Sequence, residues 1–106
     1  MTDIETIRDI VSKGNIEWSA HALRKMIERG ITRDAVKHIL CHGEIIERYP
    51  EDHPFPSVLI FGVLDETPLH AGAAFDEPPE TIFVITAYQP DQQHFNPDYK
   101  TRRTDA

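Results

Sequence analysis

The sequence predicts an α+β domain: about three amphipathic helices, packed on one face of a four-stranded antiparallel meander that follows them. Apolar residues recur every three or four positions as far as Gly43 and at every second position beyond it. Gly14, Gly30 and Gly43 fall where the helical periods stop, and short clusters rich in Pro and Asp separate the later segments. A chain of 106 residues with 40% hydrophobic and 27% charged residues fits one globular domain spanning 1–106.

The first helix is expected over 2–13, with Ile4, Ile7, Ile10 and Val11 on one side and a capping box, Thr2-x-x-Glu5, at its start. A second, over 19–29, opens at Ser19 and stops at Gly30. At 100° per residue Ala22, Leu23, Met26 and Ile27 form its apolar sector, opposite His21, Arg24, Lys25 and Glu28, with Arg29 at the edge. A third, over 32–42, is capped by Thr32 and turns Ala35, Val36, Ile39 and Leu40 to the core. Strands follow at 44–49, 57–64, 69–76 and 81–88, and the short links, one containing Pro78 and Pro79, make consecutive strands antiparallel neighbours. Residues 89–106, polar and broken by Pro90 and Pro97, read as a surface tail.

Charge divides the chain. Every Lys and Arg lies at 8–48 or 100–103, whereas 49–99 carries nine acids and no base, within a net charge of −7. A polyanion could be met only through the helices and the tail. The lone Cys41 forms no internal disulfide, and the first residues lack the basic start and apolar run of a secretory signal. No apolar run approaches the roughly 20 residues that cross a bilayer. The expectation is a cytoplasmic protein that does not span a membrane.

The third predicted strand turns His70, Gly72 and Ala74 to one face and Leu69, Ala71, Ala73 and Phe75 to the other. A turn symmetric about Pro78 would put Thr86 opposite His70, with Tyr88 two residues along the same face. An imidazole, a hydroxyl and a phenol would then meet over small residues, a set suited to acid/base work on a bound ligand. The alternative is a structural strand histidine whose ring meets Thr86 or a backbone group. On the second helix, Arg24, Lys25 and Arg29 are candidates for holding a phosphate and His21 for moving a proton, although Arg24 and Glu28 could simply pair. His38 and His42 have the i,i+4 spacing of zinc ligands but bring no third ligand, so neither a metal nor any other cofactor is expected. Ser57 and Cys41 lack the local context of a nucleophile.

Several ordered stretches resemble a known pattern: Trp18-Ser-Ala-His21 running on to Val36, then Gly43-Glu-Ile-Ile-Glu, Pro68-Leu-His70, and Val84-Ile-Thr86-Ala-Tyr88-Gln-Pro90. They resemble the DUF4258 family, a domain of unknown function, over 18 to about 103, with Phe95 where relatives commonly carry Trp. The resemblance implies a distant kinship with RelE/ParE and MqsR-like toxins, whose helices cover one face of an antiparallel sheet and whose site lies on the other. It further implies a metal-free ribonuclease toxin partnered by a zinc-finger or helix-turn-helix antitoxin. His70 or His21 would move protons, Arg24 and Arg29 would hold phosphate, and Tyr88 would stack or assist as an acid. The competing expectations are a non-enzymatic protein-binding or regulatory module, and a small-molecule binder using the shelf beside His70. For RNA, Arg24 and Arg29 must overhang the His70 face.

Overall fold

The computed structural model describes residues 3–76 and 80–103. Three helices, α1 (Ile4–Ser12), α2 (Ala20–Arg29) and α3 (Arg33–His42), accompany five strands: β1 (Ile16–Trp18), β2 (Glu44–Tyr49), β3 (Ser57–Leu64), β4 (Thr67–Asp76) and β5 (Thr81–Tyr88). The sheet order is β1-β5-β4-β3-β2, and β1 runs parallel to β5. The expected four-stranded antiparallel meander is therefore corrected to a five-stranded mixed sheet. The missed strand is only Ile16-Glu17-Trp18, too short to display a period, and it pairs with residues far away in sequence, Ile82 to Val84.

Local chemistry explains the helix ends. Asp3 caps α1 by accepting from the Thr6 amide at 2.8 Å, whereas Thr2, the first residue of the expected capping box, lies outside the described residues. Ser19 caps α2 and Thr32 caps α3 in the same manner. Gly30 ends α2 with φ 69°, the left-handed conformation that costs glycine nothing. The β3–β4 hairpin turns at Asp65 and Glu66, both with positive φ, so β4 begins at Thr67 and takes in Pro68.

Ile7, Ile10, Val36, Ile39 and Leu40 from the helices share one buried cluster with Val58, Ile60, Ala71, Ala73, Ile82 and Val84 from the sheet. Burying each large aliphatic side chain contributes about 1.5–3 kcal/mol. Met26 and Ala22 bring α2 into the same cluster, but Ile27, expected in its apolar sector, stands 81% exposed.

The sheet's other face is set by the pairing register. One row across it reads Glu44, Phe61, His70, Tyr88; the next reads Glu47, Leu59, Gly72, Thr86. Thr86 thus sits opposite Gly72, and Tyr88, not Thr86, faces His70. The expected symmetric turn around Pro78-Pro79 falls on residues outside those described. The register also shifts between Gly72 and Ala73, where Ile85 is the extra residue on β5.

Candidate functional site

His70 is completely buried, although it lies on the face away from the helices. The segment from 91 to 103 covers it. Asp91 accepts from the amides of Gln93 and His94, and Asp98 from those of Lys100 and Thr101, so two aspartate-capped turns shape this segment into a compact loop. A bridge between Phe95 and Arg102 closes it. The loop runs from β5 back across the sheet and ends on the β2 edge, where Lys100 meets Glu44 at 2.6 Å and Arg102 meets Glu47 at 2.7 Å. What reads as a tail is a strap.

Beneath the strap, the imidazole of His70 has an aromatic edge or face on three sides: Phe61, Tyr88 and the buried Phe95, whose ring centroid is 4.6 Å away. Its Nε2 lies 2.6 Å from the Tyr99 carbonyl, which can only accept, so Nε2 carries the proton. Nδ1 then accepts from the Tyr88 hydroxyl at 3.2 Å. Burial pushes the His70 ionisation below the ordinary histidine value, and the Tyr99 carbonyl and the Glu47 charge offset this only in part. His70 is a neutral imidazole with both nitrogens engaged. Tyr99 holds its carbonyl there from φ 59°, a left-handed backbone uncommon for an aromatic residue.

Beside this pair lies a polar group that sequence reasoning missed. Arg102 donates from Nε and Nη2 to the two carboxylate oxygens of Glu47, at 2.7 and 3.1 Å, and its guanidinium lies over the Phe95 ring. Tyr49 donates to the same carboxylate. Burial alone would raise the Glu47 carboxyl, but the Arg102 and Tyr49 hydrogen bonds outweigh it and hold the group below the usual range. The phenols of Tyr49 and Tyr88 are pushed up, burial being the largest cause for each. The signal for Glu47 was hidden by a bulge: Glu44 and Glu47 are an odd number of residues apart, and only the register shift between Ile45 and Glu47 turns both to the same face. For Arg102 the signal was the basic run at 100–103 and its complement in the acids of β2.

His70, Thr86 and Tyr88 share this face. Arg29 reaches its border by donating to the Ala87 carbonyl at 3.0 Å. Lys25 pairs with Glu28 at 3.3 Å, in place of the expected Arg24–Glu28 contact. His21 and Arg24 are exposed on α2, whose buried residues join the cluster on the opposite side of the sheet, and neither bonds to the His70 group. The expected overhang of Arg24 is therefore corrected; the cations at this face are Lys100 and Arg102 from the strap. His38 and His42 stack at 4.6 Å, and among the described residues no group of three or more His, Cys, Asp or Glu is placed to hold a metal ion. Among those residues, too, no helix is long and apolar enough to cross a membrane.

Comparison with curated proteins finds no match, and comparison with solved structures finds none. The family model of a domain of unknown function, DUF4258, matches residues 18–89, a stretch that takes in α2, α3 and β2 to β5 and ends before the strap. The chain belongs to the DUF4258 family.

Proposed function

We propose that the strapped face of the sheet cleaves RNA without a metal. Arg24 does not overhang this face, so on this reading the phosphate-holding role expected of it passes to Arg102 of the strap. What supports the reading is the gathering of a carboxylate, that guanidinium and two phenols, backed by an imidazole, on one sheet face. That set matches what internal transesterification requires. Glu47 takes the proton of the 2′-hydroxyl, whose oxygen attacks phosphorus. Arg102 exchanges Glu47 for the phosphate, which frees the carboxylate as base and stabilises the phosphorane. Tyr88, hydrogen-bonded to His70, donates a proton to the departing 5′-oxygen, leaving a 2′,3′-cyclic phosphate and a 5′-hydroxyl. Thr86 lines the floor beside Gly72, and Arg29 lies next to Tyr88 for a flanking phosphate. On this reading the chain is the toxin of a cytoplasmic toxin–antitoxin pair, with a zinc-finger or helix-turn-helix antitoxin as its partner.

A non-catalytic binding module is the second reading, favoured by the complete burial of His70 and by the pairing of Lys100 and Arg102 with carboxylates. Inducible expression in bacteria separates the two. The wild type should arrest growth and degrade RNA, and Arg102→Ala and Tyr88→Phe, checked for folding, should each lower cleavage by about a hundredfold or more. Intact RNA and normal growth with folded wild-type protein would remove the nuclease reading in favour of the module.

A further inference from the structure

The α2–α3 turn is open where the sheet face is closed. Leu23, Met26, Ile27, Ile31 and Arg33 line a groove of about 510 Å³ there, with Gly30 and Thr32 at the turn. Among the described residues Ile27, 81% exposed, is the most exposed large apolar side chain, and it stands on the rim of an apolar groove rather than alone on a polar surface.

The charges around it are mostly positive, with Arg24, Lys25, Arg29 and Arg33 set against Glu28 and Asp34. Arg24 neighbours Ile27 one helical turn back, is exposed, and makes no hydrogen bond or ion pair among the described residues. Arg33 lines the groove and is exposed as well. The nearest carboxylate on α2, Glu28, is already paired with Lys25. A protein of net charge −7 thus leaves arginines unneutralised beside its barest isoleucine. Two copies joined through this groove would bring two predominantly positive surfaces together, so charge disfavours self-association.

We propose that this groove docks an acidic amphipathic helical segment of a partner polypeptide, with apolar side chains on Leu23, Ile27 and Ile31 and carboxylates on Arg24 and Arg33. The inference does not depend on RNA cleavage, because the groove and the strapped face have no residue in common.

Two short labelled peptides test it, one an amphipathic helix of leucine, alanine and glutamate, the other identical but with lysine for every glutamate. Titrated into the full chain, the acidic peptide should bind, shift amide resonances within 23–33, and weaken as salt rises. Ile27→Ser and Arg24→Glu should each weaken it about tenfold, since both side chains are solvent-exposed and their loss leaves the fold intact. Equal binding of both peptides, shifts centred elsewhere, or no binding by the folded protein would overturn the proposal. So would concentration-dependent self-association abolished by Ile27→Ser, which would assign the groove to a second copy. Binding of an RNA oligonucleotide there in preference to the acidic peptide would assign it to a nucleic acid.

Discussion

The strapped face of the sheet and the α2–α3 groove handle the same materials in opposite ways. On the sheet, Phe95 is buried, Lys100 and Arg102 each have a carboxylate, and His70 satisfies both nitrogens within the chain. At the groove, Ile27 is bare and Arg24 and Arg33 face water. A surface that completes its own contacts holds itself shut, and whatever acts there must compete with the strap. A surface that leaves them incomplete is available at once. Access, more than chemistry, is what distinguishes the two regions.

The strongest way to break this contrast is Phe95→Ala. Removing a ring that is 3% exposed and set against His70 should cost about 3 kcal/mol in denaturant unfolding, and a loss near zero would mean that the strap is not held by packing. Next comes His70→Leu, which leaves the Tyr99 carbonyl without its donor and should cost about 2 kcal/mol. The wild type also carries a pH signature of this site. Because the folded ionisation lies below the ordinary value of 6.5, the unfolded chain takes up a proton that the fold excludes in the window between the two. His70's contribution is level above that window and falls as pH drops through it, by at most about 1.4 kcal/mol per pH unit. His70→Leu should flatten this part of the stability profile, and an unchanged slope would assign it to other groups.

Arg102→Ala should have a smaller effect, about 1 kcal/mol, because the side chain is 54% exposed and solvent weakens the pair. Hydrogen exchange in 94–103 should quicken, and added salt should narrow the gap to the wild type. Smallest of all is Ile27→Ser at the other surface. It should stay within about 0.5 kcal/mol of the wild type, and a larger loss would show that Ile27 serves the fold.

The helices were legible because each displays its own punctuation: Ser19 and Thr32 cap, and Gly14 and Gly30 permit the turn that follows. The Ile27 position was misread because an angular sector on a helical wheel does not say how wide a stripe the neighbouring elements cover. In the sheet, alternation put His70, Thr86 and Tyr88 on one face, but the pairing is offset by one residue already at Asp76 and Thr81 and by one more at the bulged Ile85, so that Tyr88 took the place expected for Thr86. The strap was the least legible part. Its aspartate turns look like solvated loop, and the group that fixes His70 is a backbone carbonyl, which any residue at position 99 would provide.

The parallel pairing of β1 with β5 bears on how the chain is made. Residues 16–18 are synthesised before α2, α3 and β2 to β4, and the strand that receives them, β5, only after all of these. Until then β1 is a short extended segment with no ladder partner, while the local hairpins of β2, β3 and β4 can already close. Once β5 arrives it is flanked on both sides, by β1 and β4, and the exposed border of the sheet moves from β5 to a strand of three residues, too short to recruit other nascent chains.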